Sequence, residues 1–280
     1  MKNVTKILMP AAMMLLAGCN EKAGVPEVKP QELTLHLEAD CGGREEVRHA
    51  DFFVFSGEGV CPLEFHERVE GEAVCTAVYE GRGGDKRVVC IVDCPYAFNT
   101  EALDRYDAVE ALTLTLSDED PQAPVLTGTA EIRTDADGKA RAVLEADPLL
   151  CRIEVARIYN EIGAYTLLED PVLYLQDINP EAELLRTNGF RQKETGLCTQ
   201  KTPLAHDIGA SGIEPHAVFY VYPNDSRESG AGTPATSIVL EGTVRGKACS
   251  YRVALPPFGR GARLSATLTL EKDAATAEFN

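Results

Sequence analysis

Apolar and polar residues alternate over much of this chain. In "ELTLHLEAD", Leu33, Leu35, Leu37 and Ala39 face one way and Thr34, His36 and Glu38 the other. A period of two predicts a half-buried strand. A charged loop with two glycines follows, "CGGREEVRHA", then "DFFVFSGEGV", a strand ending in a Gly-rich turn. "AVCTAVYEGRGGDKRVVCIVDC" reads as strand, turn, strand, with Gly81, Gly83 and Gly84 supplying the turn. "NTEALDRYDAVEAL" predicts a helix capped by Asn99 or Thr100, because Leu103, Tyr106 and Val109 recur every three residues. "LTLTLS" returns to strand alternation, and "TGTAEIRTDADGKARAVLEAD" predicts a hairpin turning at Asp137-Gly138.

Asp147-Pro148 reads as a joint. Beyond it, "LLCRIEVARIYN", "PVLYLQDIN", "AVFYVYPND", "TSIVLEGTV", "SYRVALPP" and "RLSATLTLE" are all strand-like. Irregular polar stretches separate them, the longest around 186–214. Closely spaced strands with few helices predict an all-β protein of sandwich-type domains. The expected division is an N-terminal domain over 32–147 and a C-terminal domain over 148–280, with few short helices. No short repeat of fixed period is evident.

The N-terminus carries different information. Lys2 and Lys6 precede an apolar run from Ile7 to Ala17, which Pro10 interrupts. A basic start, a short apolar core and small residues at its end predict a secretory signal over 1–18. The run is too short to span a bilayer, which needs about 20 apolar residues. Leu16-Ala17-Gly18-Cys19 resembles the lipobox of bacterial lipoproteins, which implies a diacylglyceryl group on Cys19 and cleavage before it. An ordinary signal with an incidental cysteine is the alternative. Residues 19–31, polar with two prolines, read as a tether. Asn20 is not the aspartate that holds some lipoproteins at the inner membrane, so the outer membrane or cell surface is expected.

Charge and side-chain chemistry narrow the function. The chain has 27 basic and 44 acidic residues, a net −17 at pH 7, which repels nucleic acid and anionic lipid. Eight cysteines follow Cys19, an even number that invites disulfides in an exported protein. Yet Cys90 and Cys151 stand where Val or Ile would sit in a strand, as buried thiols do. No pairing follows from the sequence. None of the five histidines has a partner at metal-ligand spacing. Cys90 and Cys94, taken on one strand, would lie about 13 Å apart. "DADG", Asp135 to Gly138, is a fragment of a calcium loop without its downstream Glu, and a turn explains it. "SDED" reads as a solvated turn. No catalytic motif is present. The expectation is a non-enzymatic protein with no catalytic residue, no metal and no cofactor.

The order of these pieces resembles the fimbrillin family, the lipoprotein pilus subunits of Bacteroidetes-type fimbriae. Lipobox, tether and "ELTLHLEAD" come first, then the loop holding Arg44 and Arg48. "DFFVFSGEG", "RVVCIVDCP", "ALTLTLSDEDPQAPVLTGTAEI", "LLCRIEVARI", "FYVYPND", "YRVALP" and "FGRGARLSATLTL" follow in the family's order over about 250 residues, although the tyrosine of the closing strand is replaced by Leu264. The resemblance implies two transthyretin-like β-sandwich domains, no catalysis, and assembly by strand exchange. It also implies cleavage after a basic residue, here Arg44 or Arg48, which releases the first strand. Leu33, Leu35, Leu37 and Ala39 would then be a plug occupying the groove beforehand; the same residues also read as a permanent first strand. The implied partners are other fimbrial subunits, the outer membrane through a lipid anchor, and a ligand on a host or bacterial surface. A monomeric surface lipoprotein that binds glycan or protein is the alternative. Past "RLSATLTLE" only "KDAATAEFN" remains, small residues without strict alternation. So weak a donor predicts an accessory subunit at tip or base, not a repeating stalk subunit.

Overall fold

In the computed structural model, which describes residues 32–44, 46–71, 75–133, 138–190, 196–227 and 234–280, the period-two segments become strands. The signal segment, the tether, Cys19 and Asp135–Asp137 lie outside the described residues. The first sandwich pairs two sheets. One has the order β4 (Cys75–Arg82), β1 (Glu32–Asp40), β8 (Lys139–Glu145). The other runs β3 (Leu63–Glu70), β2 (His49–Ser56), β5 (Lys86–Val92), β7 (Leu126–Ile132), β9 (Asp147–Pro148). Leu33, Leu35 and Leu37 meet Phe52, Val54, Val88 and Cys90 in one core.

The central strands β2 and β5 of this sheet are buried on both faces, and this explains their continuous apolar runs. Phe52 and Val54 enter the first core, while Phe53 and Phe55 enter another. Val88 and Cys90 divide from Val89 and Ile91 in the same way. That second core lies beneath α1 (Tyr106–Glu110) and β6 (Thr113–Thr115), which pairs with β12 (Glu181–Glu183). Leu149, Leu150, Leu184 and Tyr222 join it from further along the chain.

The second sandwich sets β14 (Ala217–Val221), β10 (Cys151–Asn160), β17 (Arg263–Leu270) and β18 (Ala275–Phe279) against β13 (Thr202–Pro203), β11 (Glu169–Gln176), β15 (Ser237–Val244) and β16 (Lys247–Ala254). A bulge between Val155 and Arg157 shifts β10's phase, so its inward residues run Ile153, Val155, Ile158. Arg260 ties the parts together. Its guanidinium donates to Leu184 O at 2.8 Å, Thr127 Oγ1 at 2.6 Å and Asp147 O at 3.0 Å.

Four expectations change. The helix over 99–112 shrinks to Tyr106–Glu110. Backbone around Arg105 is extended and pairs with Pro62, with Leu63 N–H donating to Asp104 O at 2.7 Å, so no helix can run through it. The predicted hairpin at 127–147 is instead a crossing between sheets: β7 pairs with β5 and β9, β8 with β1. The placement of β8 follows from Ala142 and Leu144 entering the first core beside β1. A Cβ on Gly128 would lie 2.6 Å from Glu145 O, so the two strands need glycine where they approach. Cys94 stands beyond the end of β5, after Asp93 at φ 56°. The C-terminal tail is a strand, β18, whose Ala275, Ala277 and Phe279 pack on the second sandwich. Cys75, Cys90, Cys94 and Cys151 are buried thiols, and all eight described cysteines are unbridged.

Candidate functional site

The candidate site is β1, the loop that follows it, and the elements that hold both. β1 is the middle strand of its sheet. It runs antiparallel to β4, with Leu35 opposite Tyr79, and parallel to β8, with Leu35 opposite Ala140. Leu33, Leu35, Leu37 and Ala39 are at most 3% exposed. Each buried leucine contributes about 1.5–3 kcal/mol relative to exposure. Without β1, two strand edges would lose their backbone partners and the core would lose one wall.

The loop turns through Gly42 (φ 63°) and Gly43 (φ 79°), both in the left-handed region that glycine tolerates. Arg44 then reaches inward. Its Nη1 donates to Asp93 Oδ2 at 2.7 Å and its Nη2 to Pro124 O at 2.9 Å. The Asp93 carboxylate is 1% exposed and also accepts the backbone N–H of Arg48 at 2.7 Å and of His49 at 3.2 Å. His49 Nε2 lies 3.0 Å from Cys94 O. Arg48 is different. Its side chain is 59% exposed, against 16% for Arg44, and lies 3.9 Å from Asp120 and 3.4 Å from Ala123 O. The structure thus brings Arg44 and Arg48 to one carboxylate, holding the first and leaving the second in solvent.

The segment 119–125, which receives both arginines, is anchored by Glu119. Its Oε2 accepts Val125 N–H at 3.1 Å, and the buried Tyr222 hydroxyl donates to Oε1 at 3.5 Å. Burial pushes the Glu119 carboxyl up to about 7, and burial likewise raises the Tyr222 hydroxyl. Loop, Asp93 and Glu119 therefore form one chain of contacts from β1 to Tyr222 in the shared core. The sequence reading missed Asp93 and Tyr222, and it took Glu119 for part of a solvated turn, whereas its carboxyl is turned inward onto Val125 N–H and the Tyr222 hydroxyl. Asp93 had one signal, a lone carboxylate directly after the apolar run "VVCIV".

At the other terminus, β18 pairs antiparallel with β17, with Ala277 opposite Leu268. Asn280 and Ser265 exchange backbone hydrogen bonds at 3.0 and 2.9 Å. The last residues are thus bound to their own sandwich.

Other polar clusters are structural in kind. Burial alone would raise the Asp51 carboxyl, but hydrogen bonds from His66 and Arg68 outweigh it and hold it below the usual range. Burial pushes the neighbouring Cys94 thiol up to about 11, away from the reactive thiolate. Among the described residues, no group of three or more His, Cys, Asp or Glu is placed to hold a metal ion.

No protein-family model and no curated protein sequence matches the chain. Solved structures do. A fimbrilin (FimA) from Porphyromonas gingivalis superposes with a TM-score of 0.64 at 12% identity, covering 90% of this chain and 97% of that one. A protein described as a "putative cell adhesion protein" from Parabacteroides distasonis gives 0.70 at 9%, covering 90% and 96%. A tip fimbrial protein from Porphyromonas gingivalis with a C-terminal truncation gives 0.55 at 12%, covering 89% and 98%. The chain therefore has the all-β sandwich fold of these three proteins over about nine-tenths of its length.

Proposed function

We propose that this chain is a non-enzymatic fimbrial subunit of the cell surface, exported with lipid on Cys19 and joined to other subunits by strand exchange, either keeping that lipid as an anchor or, after cleavage, giving up its first strand to open a groove. The observation that carries this reading is the position of β1. Among the described residues it is the earliest strand in sequence, yet the middle strand of its sheet, with four alternate residues in the core. A strand so placed leaves, on departure, a groove with two unpaired edges and alternating apolar pockets, which an incoming strand of like pattern fills. The shared fold with a fimbrilin and a tip fimbrial protein supports the same reading.

The division of roles between the two arginines refines it. Arg48 is the exposed residue and fits cleavage; Arg44 is the latch that keeps the loop closed until then. β18 is paired with β17 of its own sandwich and so is not free to serve as donor, and the reading includes an accessory place at tip or base. The test is the mature protein from cells. N-terminal sequencing and gels without boiling should give SDS-resistant ladders and, for an anchoring subunit, an N-terminus at Cys19. A cleaved subunit would begin after Arg48. A protein that runs only as a monomer and co-purifies with no other subunit refutes the fimbrial reading.

A further inference from the structure

We propose that Cys41 and Cys75 are a disulfide-forming pair that staples β1 to β4 and keeps β1 attached after the following loop is cut. The bond needs only an oxidant; its effect on β1 rests on the strand-exchange reading.

Cys41 continues the inward series of Leu33, Leu35, Leu37 and Ala39 by one more step of two, and it packs against the first core. Cys75 is the first residue of β4, 0% exposed, in the same core. The register sets Ala39 directly opposite Cys75. The Cys41 sulfur turns back to 3.9 Å from Ala39 O, and so toward the backbone that faces Cys75. The two thiols act on each other. Burial, and next the Cys75 thiol, push the Cys41 thiol up to about 11.

Residues diagonal across an antiparallel pair lie about 7–8 Å apart, less at Cβ. A disulfide spans about 4.4–6.8 Å between Cα atoms. Cys41 can close that gap because it stands beyond the end of β1, beside the turn at Gly42 and Gly43, and its movement breaks no ladder pair. Cys90 is the third thiol of the cluster, and both Cys41 and Cys75 add to the burial that raises it. It belongs to β5 in the facing sheet. Stacked sheets stand about 10 Å apart, outside disulfide reach, so the pairing falls within the sheet.

The structure holds both residues as thiols. The oxidant is itself a disulfide, that of a thiol oxidoreductase met on export or oxidised glutathione in vitro. The thiolate of the half-buried Cys41 attacks it, one sulfur leaves and takes up a proton, and a mixed disulfide forms. The Cys75 thiolate then attacks Cys41 Sγ and expels the second sulfur. Two protein thiols give up two protons and two electrons, and the oxidant's S–S bond becomes two thiols. Arg44 and Arg48 both follow Cys41 in sequence. A cut after either leaves Cys41 on the cut segment, and the bond joins that segment to Cys75. Oxidation therefore retains β1, and reduction lets it leave.

The test starts from the full chain isolated from cells, its thiols alkylated during lysis, digested without reductant. Mass spectrometry should find one peptide pair joined through Cys41 and Cys75 and lost on reduction. The purified chain, reduced and then treated with oxidised glutathione, should form the same pair and melt at least about 4 °C above its reduced form. After an arginine-specific protease, boiled non-reducing gels should show the first-strand segment attached, and reducing gels should show it released. Cys41→Ser should release it without reductant. Absence of the pair from the chain in cells, Cys41 joined to Cys90 instead, or equal release with and without reductant overturns the proposal. If the pair forms but no fimbriae contain the chain, the disulfide stands and the fimbrial reading falls.

Discussion

Replacing Arg44 with alanine should loosen the loop that restrains β1. The variant removes the guanidinium from a carboxylate that is 1% exposed, and removes the bond to Pro124 O. Breaking a buried ion pair costs about 3–5 kcal/mol, and a hydrogen bond to a charged group about 1.5–3. Two features lower the figure. Asp93 keeps the N–H groups of Arg48 and His49, and the Arg48 guanidinium stays within 4.0 Å. We expect a loss of about 2–3 kcal/mol in urea denaturation, with an unchanged slope. Asp93→Asn should cost less than Asp93→Ala, because the amide oxygen still accepts. The double variant Arg44→Ala/Asp93→Ala should show a coupling of about 1.5–2 kcal/mol. The functional readout is limited digestion by an arginine-specific protease. Cleavage after Arg48 requires local opening of the Asp93 contacts. If Arg44→Ala lowers that opening by about 2 kcal/mol, cleavage should accelerate about 30-fold. A stability loss below about 0.5 kcal/mol, or coupling indistinguishable from zero, would refute the latch.

Three further outcomes are expected. Glu119 has a folded-state value near 7 against an ordinary 4.5, so its protonated form is favoured by folding; stability should fall as pH rises between those values, by about 2 kcal/mol after discount for partial exposure, and Glu119→Gln should flatten that slope in urea titrations at pH 5 and pH 8. If parent and variant keep the same slope, the burial argument is wrong. Phe279→Ala should lower the melting temperature by a loss of about 1–2 kcal/mol, because its half-buried ring covers the second core from β18, and an unchanged melting point would mean the tail does not dock. Cys19→Ala should move the protein from the membrane fraction to the soluble one, and a variant that stays membrane-bound would exclude the lipid anchor.

The strands were legible because side-chain direction alternates along them, a local property that sequence carries directly. Leu33, Leu35, Leu37 and Ala39 announce both the strand β1 and its buried face, and Ile153 and Val155 do the same for β10. The all-β class followed from many such runs. The tail β18 escaped the sequence reading because alanine is weakly apolar; Ala275 and Ala277 look indifferent until β17 is beside them.

Which strands pair is not a local property. "TGTAEI" and "KARAVLE" are joined by a segment whose sequence predicts a hairpin turn, yet they lie in different sheets, since β8 pairs parallel with β1, some 100 residues earlier in sequence. The same holds for "DFFVF". Its run from Phe52 to Phe55 marks a strand, but only the second core on its outer face explains why those four positions are all apolar. The latch is decided the same way. Nothing in the spacing of Arg44, Asp93, Pro124 and Glu119 links them; the fold brings them together by burying one carboxylate where two backbone N–H groups and one guanidinium can satisfy it. Burial supplies the energy that makes such a contact matter, and burial exists only once distant segments have met.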